Sequence, residues 1–236
     1  MKRIIILSDS LGRARPDIQL KDRTRYCDTY GYILQKVLIN KYIVEICYIE
    51  SLDSIDAIFW NQRMVAFREP DIVIYHIGIN DCAPRLFKKN SSALILKPFF
   101  RKFTCDLFLR ILSYYRSFFT KLVRKVYVDK KTFKENIKTM IQEVKKYNPN
   151  CKFFCITIAM GDELYVKKSP DINKNIREYN KILKDCFSGR CIDINEIVKL
   201  NDMHISDGVH LSKKAHKQLA EHLLKILENE FKNGSK

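Results

Sequence analysis

Three short stretches of this chain hold side chains suited to nucleophilic catalysis. The first is Ile4-Ile5-Ile6-Leu7-Ser8-Asp9-Ser10-Leu11-Gly12, where an apolar run gives way to Ser-Asp-Ser, with a glycine two positions later. The run reads as a short buried strand, and in parallel α/β sheets ligands collect beyond the carboxyl ends of strands. Ser10 is therefore a candidate nucleophile, although a turn or a helix N-cap fits the same residues when they are taken alone. The second stretch, Gly78-Ile79-Asn80-Asp81, follows the apolar run from Ile72 to Ile77. It would bring close backbone approach and a side-chain amide donor to the same sheet edge, with an ordinary Asx turn as the plainer reading. The third is Asp207-Gly208-Val209-His210-Leu211. A carboxylate and an imidazole three residues apart on a turn can converge, the Asp accepting from one ring nitrogen while the other faces a serine. Alone, that pair also fits a helix cap beside a structural histidine.

The elements between these stretches must bring them together. Thr29 to Asn40 has apolar residues at helical spacing and Tyr42 to Ile49 reads as a second strand, so the chain opens with a βαβ unit. Ile55 to Phe67 predicts a helix, Ile72 to Ile77 a third strand, and the segment around Phe133 to Val144 a further helix, stopped by Asn148-Pro149-Asn150. Lys152 to Ala159 predicts a fourth strand, Met160 to Asp171 a loop, Ile172 to Phe187 a helix, Arg190 to Ile194 a short fifth strand, and Lys213 to Phe231 a strongly periodic last helix. Regular strand–helix alternation predicts one α/β domain over residues 1–236, a parallel sheet covered on both faces. From Leu86 to Val128 the composition shifts to ten Lys or Arg against the single acid Asp106, with an aromatic stripe at helical steps. That pattern predicts a basic amphipathic helical insertion, which can pack on its own domain, cover a site or lie on an anionic membrane.

Composition narrows the functional classes. The net charge of +16 favours anionic partners in general, but no nucleic-acid motif accompanies it, so no specific nucleic-acid partner is expected. The eight cysteines lack Cys-x-x-Cys spacing and the five histidines lack helical metal-ligand spacing, which predicts reduced thiols and neither metal nor other cofactor. No long uncharged apolar run is present and Ile4 to Leu7 is too short for a signal peptide, so a cytoplasmic protein is expected, with peripheral membrane contact through 86–128 as an added expectation.

Taken in order, the three stretches resemble the SGNH (GDSL-like) hydrolase family, whose first block looks like Gly-Asp-Ser-Leu, its third like Gly-x-Asn-Asp and its last like Asp-x-x-His-Leu. The resemblance implies a three-layer flavodoxin-like fold and ester hydrolysis through a serine acyl-enzyme. Ser10 would attack the carbonyl, His210 would take and return its proton, and Asp207 would orient His210. The oxyanion would be held by the Ser10 backbone N–H, the Asn80 amide and a further backbone N–H near Ser51. The chain departs from the family pattern in two places. Ser8 stands where the family usually has glycine, and the second-block glycine is missing from Ile49-Glu50-Ser51-Leu52-Asp53-Ser54, where Glu50 or Asp53 turned inward would oppose an oxyanion. His216, in Lys214-Ala215-His216, reads as helix surface or structure. The substrates implied are small-molecule or glycan acyl esters, acetyl on carbohydrate among them, with Arg13, Arg15 and Arg85 available for an anionic group. Acyl transfer to a sugar hydroxyl and a non-catalytic binding role on the same scaffold are the competing expectations.

Overall fold

The structure is a computed structural model that describes residues 1–84 and 126–233. Residues 86–125 of the predicted basic insertion, and Arg85, lie outside the described residues. Five parallel strands, β1 (Lys2–Ser8), β2 (Tyr42–Tyr48), β3 (Ile72–His76), β4 (Lys152–Ile156) and β5 (Cys191–Ile192), form one sheet in the order β2-β1-β3-β4-β5. Their side chains alternate between two buried layers, as the pleat requires. Ile5, Leu7, Val73, Tyr75 and Cys155 face one layer; Ile4, Ile6, Ile72, Ile74 and Ile156 face the other.

Helices α1 (Tyr30–Leu38) and α2 (Ser54–Met64) follow β1 and β2; the single turn α3 (Ile79–Cys82) follows β3, and α4 (Lys130–Tyr147) precedes β4. Then come α5 (Glu163–Lys168), α6 (Ile172–Phe187), the short α7 (Ile194–Ile197) and α8 (Leu200–Met203), and α9 (Lys213–Asn233). The first layer packs under α2, α4 and α6 through Ala57, Phe133, Ile137, Met140, Tyr179 and Leu183. The second packs under α1 and α9 through Tyr30, Leu34, Leu219 and Leu223. The result is the three-layer α/β architecture expected. Side chains start the helices where their first N–H groups lack partners: Asp53 accepts from Ile55 and Asp56, Asp129 from Lys131 and Thr132, and Asp162 from Tyr165.

Several elements differ from the sequence expectation: β4 ends at Ile156 and not at Ala159, and α7 and α8 stand between β5 and the last helix. The Met160 to Asp171 loop contains α5, because Asp162 caps a turn whose residues are otherwise too mixed to show a period. The fifth strand shrinks to two residues, since Asp193 turns at once to cap α7. Among the described residues no helix is long and apolar enough to cross a membrane.

For the site the strand order matters most. β1 is flanked by β2 on one side and β3 on the other, so successive connections leave the sheet in opposite directions and open a crevice beyond the carboxyl ends of β1 and β3.

Candidate active site

Ser10 sits one turn past β1. The Asp9 backbone N–H donates to the His76 carbonyl at 3.0 Å, and the Asp9 carboxylate accepts from Leu11 N–H at 2.8 Å and Gly78 N–H at 3.2 Å. One buried carboxylate thus closes the turn that presents Ser10 and ties it to the end of β3. Burial pushes Asp9 up to about 7, against the pull of the Leu11 hydrogen bond. Ser8 replaces the usual glycine without cost to the backbone: its φ is not in the left-handed region, and its buried hydroxyl donates to the His76 carbonyl at 3.0 Å.

Gly78 has φ 127°, and an added Cβ would lie 2.7 Å from Ile158 Cδ1, so glycine is required there. The turn it permits starts α3 with Asn80, whose Nδ2 donates to the Leu52 carbonyl at 3.0 Å. Asp81, buried, accepts from Ser54 N–H at 2.9 Å; burial raises it to about 7 despite its bonds to Ser54. Asn80 and Asp81 therefore lock the second stretch to the loop after β2.

In that loop Ser51 adopts φ 58°, a left-handed backbone that glycine favours. The conformation persists although the glycine does not. Asp53 is turned away to cap α2. Glu50 does face the cavity, but Arg13 Nη1 meets it at 2.5 Å and Arg15 Nη1 at 3.7 Å. Hydrogen bonding to Arg13 holds the Glu50 carboxyl below its ordinary value.

Asp207 and His210 form one unit. Asp207 Oδ1 accepts from Val209 N–H and His210 N–H, both at 2.9 Å, while Oδ2 meets His210 Nδ1 at 2.6 Å. Partial burial alone would raise Asp207; its hydrogen bonds to the His210 ring and backbone N–H prevail and hold it down to about 2. Asp207 caps this turn and not the last helix, which begins instead with Ser212 Oγ accepting from Ala215 N–H at 3.0 Å. The loop is clamped from both ends: Ile205 N–H donates to the His210 carbonyl at 2.9 Å, and Asp22 accepts from the Ser206 hydroxyl at 3.0 Å.

Ser10, Ser51, Asn80 and His210 line a single cavity of about 250 Å³, with Arg15 and Glu50 at the same opening. Among the described residues Ser10 Oγ forms no hydrogen bond to His210, a contact that in ligand-free sites often closes only around substrate. A larger cavity of about 800 Å³ beside β5 contains none of these residues. Among the described residues no cluster of His, Cys, Asp and Glu could hold a metal ion. Sequence reasoning missed Tyr165, Ile79 and Val209 as cavity walls. The one available signal for Tyr165 was Asp162-Glu163, a cap and acidic first turn. His216 is no helix-surface residue: it is fully buried, its Nδ1 accepting from Tyr30 N–H at 3.3 Å.

Such a constellation can activate a hydroxyl: an ionised carboxylate fixes an imidazole, and a serine lines the same cavity as that imidazole, Asn80 and Ser51. Solved structures with the same architecture include a lipase/acylhydrolase from Enterococcus faecalis, at TM-score 0.65 and 14% identity over 98% of this chain and 97% of that one. A carbohydrate acetylesterase family member from Sinorhizobium meliloti aligns at TM-score 0.63 and 12% identity, over 96% and 97% of the two chains. The acetyl xylan esterase AlAXEase aligns at 0.61 and 16%, over 95% and 98%. No curated protein sequence matches the chain. The model of the GDSL-like lipase/acylhydrolase family matches residues 49–223. The chain belongs to this family, and it is a carboxylic ester hydrolase.

Proposed function

We propose that the chain removes a small acyl group, with acetyl on carbohydrate as the leading substrate class, through Ser10, His210 and Asp207. The observation that carries this reading is the Asp207–His210 pair at 2.6 Å, opening onto the one cavity that Ser10, Asn80 and Ser51 also line. The likeness to an acetyl xylan esterase and to a carbohydrate acetylesterase family member supports the substrate class.

In this mechanism Ser10 Oγ attacks the ester carbonyl carbon as its proton passes to His210 Nε2. The oxyanion is held by the Ser10 and Ser51 backbone N–H groups and the Asn80 amide. Collapse expels the alcohol, which leaves with the proton from His210. Water then attacks the acyl-enzyme by the same route and regenerates Ser10. Asp207 keeps Nδ1 of His210 protonated and stabilises the imidazolium.

Hydrolysis of short and medium p-nitrophenyl esters, compared with a Ser10→Ala variant of verified fold, tests the reading. A loss of about 1,000-fold or more is expected. Equal activity in the two proteins would overturn it. Adding a sugar acceptor to the same assay separates hydrolysis from acyl transfer by the product formed.

A further inference from the structure

We infer that Arg15, held opposite a built-in counter-ion in Glu50, is a subsite for an anionic group, carboxylate or phosphate, on the alcohol portion of the ester. The inference rests on the esterase reading above; the small acyl group proposed there leaves the alcohol portion to carry the charge.

Arg15 lies in a long polar loop, yet its backbone is pinned. Its N–H donates to Thr24 Oγ1 at 2.8 Å and its carbonyl accepts from Thr24 N–H at 3.0 Å, and Thr24 is fully buried. The anchored side chain lines the cavity that Ser10 and His210 share.

The two arginines share Glu50 unequally. Arg13 Nη1 approaches Glu50 Oε2 at 2.5 Å, whereas Arg15 Nη1 stands 3.7 Å from Oε1, beyond hydrogen-bond distance. Arg13 therefore fixes the carboxylate, and Glu50 leaves the donor fork of Arg15 unsaturated. Among the described residues the Arg15 guanidinium has no other ion pair. A guanidinium offers donors in a planar fork that matches a carboxylate or phosphate in bidentate fashion. Two arginines against one glutamate leave net positive charge at the opening, and the overall charge of +16 steers anions toward it. Folding stability does not account for the arrangement, because the Glu50 side chain is 57% exposed and ion pairs in such places add little. Glu50 stands 3.7 Å from Arg15, close enough for its charge to oppose a substrate anion there, so it tempers binding and lessens the discrimination against neutral esters that an unopposed arginine would give.

A matched pair of aryl acetates reads the subsite: 4-acetoxybenzoate, which is anionic, and its neutral methyl ester. The quantity measured is the ratio of kcat/KM for the anionic over the neutral ester, at low ionic strength, in the wild type, Arg15→Gln and Glu50→Gln. The ratio should fall about tenfold in Arg15→Gln and rise about threefold in Glu50→Gln, with both differences shrinking in added salt. Opposite movements cannot come from general loss of fold, and Arg15→Lys, which keeps charge without the fork, should fall between wild type and Arg15→Gln. 4-Acetoxyphenyl phosphate run in parallel identifies the preferred anion by the larger ratio. Ratios within twofold of wild type in both variants, or shifts in the same direction, would overturn the subsite. Loss of Ser10 dependence for the neutral ester would instead overturn the esterase reading.

Discussion

His210 and the pair His76 and His216 use the same side chain for opposite ends. His210 borders the cavity, 15% exposed, with an ionised carboxylate on Nδ1. His76 and His216 are completely buried around Tyr30, their rings 5.7 and 5.8 Å from its ring, and among the described residues their Nε2 atoms have no hydrogen-bond partner. Burial lowers both to about 3, so they stay neutral at any ordinary pH. The carboxylates divide likewise: hydrogen bonds keep Asp207 at about 2, while burial pushes Asp9 and Asp81 up to about 7. The groups proposed to carry charge during the reaction keep a partner and some solvent. Groups that hold the strand ends in place are driven toward the neutral form by burial.

The comparison breaks most sharply at Asp207. Asp207→Asn should lower kcat about 10³- to 10⁴-fold, since the ring then loses its orienting anion. His216→Phe should instead act on stability, visible in the thermal midpoint. If a folded His216→Phe protein lost as much turnover as Asp207→Asn, the division between the two histidine environments would be wrong.

Asn80→Ala comes next, with an expected 100- to 1,000-fold loss in kcat and a smaller change in KM. The variant also removes the bond to the Leu52 carbonyl, so its chemical denaturation should be measured beside its kinetics.

Gly78→Ala should destabilise the fold by about 2–4 kcal/mol, because its backbone is left-handed and its Cβ would strike Ile158. A denaturation midpoint equal to wild type would contradict the packing described.

The buried groups also have opposing pH signatures. Asp81 rises from 3.8 to about 7 on folding, so between about pH 4 and 7 the native state holds a proton that the unfolded chain has released. Stability from this group therefore falls as pH rises through that window and is level above it. His76 and His216 drop from 6.5 to about 3, so between about pH 3 and 6.5 the unfolded chain binds more protons and stability rises with pH. Asp81→Asn removes one falling contribution and keeps an acceptor for Ser54. Relative to wild type, its unfolding free energy from urea titration should improve from pH 4.5 to 7.5 by about 3 kcal/mol. A difference that does not change with pH would show that Asp81 is not neutralised by burial.

The smallest effect is expected at Ser51. Ser51→Gly relieves a left-handed φ of 58° and should stabilise by up to about 1 kcal/mol, offset by the added freedom of the unfolded chain. Turnover should stay within about threefold of wild type, since only the backbone N–H is assigned a role. A large loss would give the Ser51 hydroxyl a function of its own.

Much of this site is legible in the sequence. Ser10, Asn80, Asp207 and His210 stand in short blocks whose local chemistry is self-contained: a strand end, a glycine turn, a carboxylate three residues before an imidazole. The helix from Ile172 to Phe187 was read to the residue because its apolar period is clean. Helix α5 was not, because a six-residue element shows no full period and depends on one cap.

Sequence alone determined the alternation of strands and helices, the two-layer patterning of β1 and β3, and the identity of the nucleophile, base and orienter candidates, all properties of neighbouring residues. Tertiary structure alone decided that Asp53 turns away while Glu50 faces the cavity between two arginines, that Ser51 keeps a glycine's conformation, and that His216 is buried. Those outcomes depend on which distant segments meet at the switch point between β1 and β3. Burial and charge pairing there are set by neighbours far apart in the chain, to which local spacing is blind.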